Sequence, residues 1–226
     1  MRVFRLTAEN HPGRYEMRAL ADPDSKIYSI LNKLTLLVEL NLLVFFCCLP
    51  VVTAGAALCA MHAVLLKIYR NEEKRIFGDF FRAMKENLKQ GTALWLLYLG
   101  YGALLLGMGL LAKALLPELA IFVVYGLLLA AALGLVLLDW ALILQSRYIY
   151  TLPQCFKNAV LAWMSYPGST PVFLVSLAIP ALLCLSIPTM PLLLLIGITL
   201  PHFISTTLYN RVFNRLEGVP DKIPKL

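Results

Sequence analysis

Four ionisable residues interrupt the long apolar runs of this chain: Glu39, His62, Asp139 and His202. Charged groups inside a membrane-spanning segment are costly, so each such position is a functional hypothesis. Two carboxylates and two imidazoles that share a hydrated cavity could bind a cation or relay protons. Alternatively, the four side chains form separate hydrogen bonds between helices. The sequence leaves both interpretations open.

The depths of these residues bring the four runs into one layer. Glu39 lies about 18 Å into the first run at about 1.5 Å per residue, and it shares a helix face with Asn32 and Thr35. The other three residues each lie roughly 10 Å from one end of their runs. We therefore expect four helices to contribute polar groups to one half of a bundle.

The composition indicates a membrane protein. The 226 residues are 60% hydrophobic and 15% charged, and the apolar residues come in long runs that need lipid around them. We predict an all-α polytopic bundle, a single domain over residues 1–226 with six transmembrane helices. The spans are expected at 27–48, 51–69, 93–116, 118–144, 171–187 and 189–209, the last two separated by Pro188 and Pro191.

The basic residues orient this bundle. All 20 Lys and Arg residues except Lys113 fall on one side of the six-span arrangement. The positive-inside rule makes that side cytoplasmic, so both termini are expected inside, as an N-terminal segment 1–26 and a tail 210–226. We expect no cleavable signal peptide, because the chain begins with a polar, charged segment.

Two inner connections are predicted to form amphipathic interfacial helices on the cytoplasmic face. In the first, Phe77, Phe80, Phe81, Met84 and Leu88 recur at helical spacing, with charged residues on the other face. A shorter second one is expected around Phe156 and Trp163. Our candidates for contact with a partner are Phe77, Phe81, Arg82, Lys85 and Lys89.

Small residues at four-residue spacing predict close helix packing within the bundle or between protomers. The three ridges are Ala56 and Ala60, Ala103 and Gly107, and Gly126, Ala130 and Gly134.

Several classes of function lack their sequence patterns here. None of the common hydrolase, metalloprotease or nucleotide-binding motifs occurs, and the five cysteines have no metal-ligand spacing. The charges flank apolar segments instead of forming a nucleic-acid-binding surface. We therefore expect a protein that is not an enzyme, with no cofactor, no metal and no nucleic-acid partner.

The string Leu49-Pro50-Val51-Val52-Thr53-Ala54-Gly55-Ala56-Ala57 resembles the signature of the YesL-like family of small bacterial integral membrane proteins. The block containing Phe77, Asp79, Phe80, Phe81 and Lys85 is similar to that family as well. The resemblance implies a bacterial cell membrane and an association with carbohydrate uptake, and it brings no catalytic residues. A physical explanation stands beside it: Pro50 ends one helix, Thr53 caps the next, and the small residues let the two approach.

The sequence thus predicts a non-enzymatic accessory protein that contacts the lipid bilayer and binds a membrane permease or another copy of itself. The alternative is a small transporter or channel that uses the layer of Glu39, His62, Asp139 and His202.

Overall fold

The computed structural model describes residues 26–72 and 75–218, and all regular structure in this part of the chain is helical. This confirms the predicted all-α fold. The helices of 14 residues or more are α1 (Lys26–Cys48), α2 (Ala54–Arg70), α3 (Ile76–Leu115), α4 (Ala120–Arg147), α5 (Leu152–Ser165), α6 (Thr170–Cys184) and α7 (Thr199–Glu217). Residues 1–25 of the predicted N-terminal segment and residues 219–226 of the predicted tail lie outside the described residues.

Five helical stretches are long and apolar enough to cross a bilayer. They are Ile27–Cys48, Val51–Arg70, Ile76–Leu115, Ala120–Arg147 and Pro167–Cys184. A bent pair, Ile187–Gly197 and Thr199–Arg215, passes the same test when taken together. The predicted bundle of six spans is therefore matched if the pair counts as one span.

The last span is broken instead of straight. Its two parts meet at 41°, and a π-helical turn, Leu193–Gly197, lies just before the bend. Pro201 has no N–H, so the carbonyl of Gly197, four residues earlier, loses its usual helical partner. The span expected at 189–209 thus corresponds to two helical parts joined at a bend.

The helix α3 joins two elements that the sequence analysis separated. It runs unbroken for 40 residues, about 60 Å, and includes both the first predicted interfacial helix and the third span. The predicted boundary rested on a change in hydropathy. No proline lies between Lys89 and Ala93, and the helix continues through Gly91. The first half of α3 packs along α2, where Lys67 Nζ lies 2.7 Å from Asp79 Oδ1.

The second predicted amphipathic helix is present as α5. Its backbone N–H at Thr151 donates to Gln154 Oε1 at 3.2 Å, which caps the first turn. One face buries Cys155 and Ala159, whereas Phe156 and Met164 are exposed.

The centre of the bundle is α2. In the apolar stretch that includes α2, 67% of the residues of its 18-residue apolar segment are buried. In the corresponding 18-residue segments of α3 and α4, only 6% are buried. One core cluster fills the space between α1 and α2, and the other gathers around Trp140 of α4. The Trp140 ring packs edge-on against Phe173, and its Nε1 donates to Ser169 Oγ at 3.2 Å.

Glycine permits the close approach of α2 to α3. A Cβ placed on Gly55 would lie 2.1 Å from the carbonyl oxygen of Gly91 and 2.5 Å from Trp95 Cβ. A Cβ on Gly91 would lie 3.0 Å from Ala56 Cα. The two backbones touch here, so neither position has space for a side chain.

Only some positions of the predicted small-residue ridges are packed against other helices. Ala56 and Ala60 are fully buried, and a Cβ on Gly134 would meet the Tyr101 ring at 2.6 Å. By contrast, a Cβ on Gly107 or Gly126 would meet no atom of the described part of the chain within 4 Å. The chain thus uses part of these ridges internally and leaves part open.

Polar contacts join the C-terminal ends of α2, α4 and α7. Arg147 donates two hydrogen bonds to the carboxylate of Glu217, at 3.0 and 3.1 Å, and the Tyr148 hydroxyl donates a third at 3.0 Å. Arg70 donates to Asn210 and Asn214 at 2.8 and 3.1 Å. These ends were predicted to share one face of the membrane, and they do lie together.

We expect Gly55→Ala to lower the stability of the bundle by about 1–3 kcal/mol, because the new methyl group overlaps the backbone of α3. The matched control is Gly107→Ala, which adds the same methyl group in open space and should be neutral or slightly stabilising. Unfolding of the two variants in mixed micelles, followed by helical circular dichroism, checks this. Equal midpoints for both would show that the contact is not tight.

The carboxylate of Glu217 should make stability depend on pH. Hydrogen bonds from Arg147, and then from Tyr148, hold the pKa of Glu217 below its ordinary value of 4.5, while burial and Glu217 raise that of Tyr148 to about 12. A carboxyl with a lowered pKa stabilises the fold above its unfolded-state pKa, and this contribution is lost as the pH falls through the folded-state pKa.

We therefore expect Glu217→Gln to be less stable than the wild type at pH 7, by under about 1 kcal/mol for this partly exposed pair. The difference should shrink between pH 7 and about pH 2, as the pH falls through the lowered pKa of Glu217 and its carboxylate takes up a proton. Unfolding midpoints at the two pH values measure it, and a difference that persists at low pH would contradict the assignment.

Candidate functional site

Three of the four ionisable residues singled out in the sequence meet in the core of the bundle. His62 comes from α2, Asp139 from α4 and His202 from α7. Their exposed fractions are 1%, 3% and 2%, so the cluster is shielded on every side. We call these three residues the His–Asp cluster.

The reactive atoms of the cluster point at one another. His62 Nε2 lies 3.2 Å from Asp139 Oδ1, and His202 Nε2 lies 3.9 Å from the same oxygen. One nitrogen or oxygen from each residue lies within 4.8 Å of the other two. The imidazole rings are 5.4 Å apart and meet edge-on.

Two atoms of the cluster have no hydrogen-bond partner among residues 26–72 and 75–218. His62 Nδ1 and Asp139 Oδ2 are both buried and unpaired. A buried polar atom without a partner costs about 1–3 kcal/mol, and more where charge is involved. This concentration of unpaired atoms distinguishes the cluster from an ordinary interhelical contact.

The backbone fixes which nitrogen of His202 carries hydrogen. Its Nδ1 lies 2.9 Å from the carbonyl oxygen of Ile198, and a carbonyl can only accept, so Nδ1 must donate. In the neutral ring Nε2 then carries a lone pair, and this lone pair faces the carboxylate of Asp139. Two electron-rich atoms in a buried site require a cation or a proton between them.

An aromatic residue closes one side of the cluster. The Tyr209 ring packs edge-on against His62, with 5.9 Å between centroids, and Tyr209 is fully buried. Thr206 Oγ1 donates to the carbonyl oxygen of His202 at 3.0 Å and lies 2.7 Å from the Tyr209 hydroxyl. Because Thr206 has one hydrogen to give, the Tyr209 hydroxyl donates to it and is held away from the two histidines.

The fourth predicted member, Glu39, is not part of the cluster. Glu39 is exposed on the outer face of α1, as are Asn32 and Thr35, and Thr35 bonds back to the carbonyl of Leu31 at 3.0 Å. The prediction of a four-residue layer was therefore wrong at this position. Depth along a helix can be read from the sequence, but the direction of the side chain around the axis cannot.

The buried polar residue of α1 is Asn41, which the sequence analysis missed. Its amide nitrogen donates to the carbonyls of Leu193 and Leu194 at 2.8 and 2.7 Å, and its oxygen accepts from the N–H groups of Ile198 and Thr199 at 2.9 and 3.0 Å. Asn41 thus gives hydrogen-bond partners to four backbone groups around the bend before α7. An uncharged amide in an apolar run was the only available signal.

The candidate partner-contact residues all lie on the exposed side of α3. Phe77 and Phe81 are 60% and 41% exposed with their rings 4.7 Å apart, and Arg82, Lys85 and Lys89 are exposed beside them. The predicted apolar face is split, because Phe80 is fully buried against the core. We call the five exposed residues the α3 patch.

The string at Leu49–Ala57 forms the turn between α1 and α2. The Thr53 hydroxyl donates back to the carbonyls of Cys47 and Pro50, at 3.0 and 3.1 Å, instead of capping α2 as expected. Together with the Gly55 contact, this gives the string a structural role in a helical hairpin.

Comparison with known proteins identifies a similar family over part of the chain. A family model described as "Protein of unknown function, DUF624" matches residues 37–107, less than half of the chain. The match includes the turn, Asn41, His62 and the α3 patch, whereas Asp139 and His202 lie beyond it. No curated protein and no solved structure matches the chain.

We expect Asn41→Leu to destabilise the bundle by about 1–3 kcal/mol, because four backbone groups around the bend would lose their partner. Glu39→Gln is the matched control on the same helix and should leave stability almost unchanged. The unfolding midpoints of both variants in mixed micelles test this. An unaffected Asn41→Leu protein would show that these backbone groups find other partners.

Proposed function

We propose that this chain is a non-enzymatic accessory protein of the bacterial cell membrane that binds another membrane protein through the α3 patch. The partner that we propose is a permease of carbohydrate uptake. The resemblance of the Leu49–Ala57 string to the YesL-like family supports this pathway, and the family model that matches residues 37–107 assigns no function.

The exposed α3 patch carries the proposal. One side of this part of α3 packs on α2 and needs no further partner, yet the other side presents two contacting aromatic rings beside three basic residues. Aromatic residues and Arg are enriched at protein interfaces and supply much of their binding energy. A partner surface with apolar pockets and carboxylates would complement it.

The open small-residue positions on α3 and α4 offer a second contact area within the apolar part of the molecule. Gly107 and Gly126 would let a neighbouring helix approach closely, because no other described residue lies within 4 Å of a Cβ placed at either position. A partner that crosses the membrane could therefore use both the patch and these positions.

A small transporter or channel is the second candidate, and the His–Asp cluster is the observation that favours it. Buried ionisable groups within membrane spans often mark ion pathways. Two observations count against this candidate. Glu39 is exposed outside the cluster, which removes one member of the proposed pathway. The molecule also has one groove lined by Tyr101 and Gly134 and another lined by Val175 and Pro201, and neither contains a member of the cluster.

We expect the triple variant Arg82→Glu, Lys85→Glu, Lys89→Glu to lose its membrane partner, with recovery reduced by about tenfold or more, which corresponds to about 1.4 kcal/mol. Co-purification from native membranes in a mild detergent, with quantitative mass spectrometry, measures this. The matched control reverses two exposed basic residues elsewhere, Lys157 and Arg211, and should keep the partner.

Undiminished recovery with the triple variant would contradict the proposal. So would a wild-type protein that purifies only with itself, and that result would favour the transporter. If the triple variant instead loses binding to anionic lipid vesicles but keeps its protein partner, the α3 patch contacts headgroups and not a permease.

A further inference from the structure

We propose that His62, Asp139 and His202 form a buried binding site for one divalent first-row transition-metal ion, such as Zn²⁺ or Fe²⁺. The inference does not depend on the accessory role, since the site lies in the core and the α3 patch lies on the surface.

The donor atoms fit this class of ion. Two imidazole nitrogens and one carboxylate are a common ligand set for Zn²⁺ and for non-haem Fe²⁺. Mg²⁺ and Ca²⁺ prefer sites built from oxygen atoms, so two histidines argue against them. Three protein ligands would leave at least one coordination position for a further ligand.

The spacing of the atoms also fits. Bonds of about 2.0–2.2 Å at tetrahedral angles place neighbouring ligand atoms roughly 3.3 Å apart. The two distances to Asp139 Oδ1 are 3.2 and 3.9 Å, and the three ligand atoms all lie within 4.8 Å of one another, so the side chains must move closer together to close the shell. Asp139 Oδ2, buried without a partner, is a second oxygen available to the ion.

The electrostatics of the cluster call for a positive charge at its centre. The Ile198 carbonyl holds the hydrogen of His202 on Nδ1, which leaves Nε2 free to bind a metal. The hydrogen bond from a ligating histidine to a backbone carbonyl is a usual outer-shell contact of metal sites. Without a cation, the Nε2 lone pair and the Asp139 carboxylate would face each other in a buried site.

The ion would join three helices that are far apart in the chain. His62, Asp139 and His202 belong to α2, α4 and α7, and no pair of them has the short spacing that marks a metal motif. No metal was expected from the sequence because such spacing is absent from it. Binding at this position would add to the stability of the folded bundle.

The test begins with the full-length wild-type protein, purified in detergent without a histidine tag. Elemental analysis by mass spectrometry should find about one transition-metal ion per chain. After treatment with a chelator, addition of Co²⁺ should give the visible absorption of a cobalt ion with nitrogen and oxygen ligands, and Zn²⁺ should displace it. The ion should also raise the unfolding midpoint.

Three variants remove one ligand each: His62→Ala, Asp139→Asn and His202→Ala. Loss of an outer-shell contact alone weakens metal binding by about 10–100-fold, so each variant should bind at least about 100-fold more weakly. The controls are Glu39→Gln, an acidic residue outside the cluster, and His11→Ala, the remaining histidine of the sequence. Both should keep the ion and its Co²⁺ spectrum.

A folded wild-type protein that holds no stoichiometric ion and shows no Co²⁺ spectrum after reconstitution would overturn the proposal, even if the ligand variants fail to fold. Loss of the ion in His11→Ala, with retention in His202→Ala, would overturn it too. Partner recovery measured in Asp139→Asn separates the two proposals, since loss of metal with an intact partner leaves the accessory role untouched.

Discussion

The contact between Gly55 and Gly91 determines how the other helices can pack. Because neither residue has a side chain, the backbones of α2 and α3 touch, and α2 can lie inside the bundle with most of its surface covered. Because most of α2 is covered by other helices, its one ionisable core residue, His62, faces another helix. Asp139 and His202 meet it there. The close packing of small residues thus brings polar groups together in the core.

The bundle deals with its buried polar groups in two contrasting ways. Around the bend before α7, the amide of Asn41 has partners for both its nitrogen and its oxygen, so four backbone groups at this break are hydrogen-bonded. At the His–Asp cluster, one nitrogen and one carboxylate oxygen stay unpaired. The protein thus provides hydrogen-bond partners for the polar groups around Asn41 but leaves polar atoms of the His–Asp cluster without them. Such unsatisfied buried atoms are common in binding sites.

Much of the fold can be predicted from the sequence, because long apolar runs, prolines and the distribution of basic residues give the spans and their common ends. The sequence also indicated His62, Asp139 and His202, since ionisable residues in apolar runs are rare. Direction around each helix axis was not predictable: Glu39 and Asn41 are two residues apart, about 200° around the axis, so one faces outward and the other faces α7. The continuity of α3 was missed because hydropathy changes at Gln90 where the backbone does not.

The unbroken α3 has a mechanical consequence. Because α3 is one continuous helix, its two ends share an axis. A tilt of about 10° around the Gly55–Gly91 contact would displace the far end, roughly 36 Å away, by roughly 6 Å. Its fulcrum is the Gly55–Gly91 contact, where no side chain can yield and absorb the movement. The half of α3 beyond this contact is mostly exposed and pairs with α4, for example through the Tyr101 hydroxyl and the Ala130 carbonyl. The contact therefore divides α3 into a shorter segment at the basic surface and a longer segment in the apolar region. A small tilt of the shorter segment would produce a larger displacement at the end of the longer one.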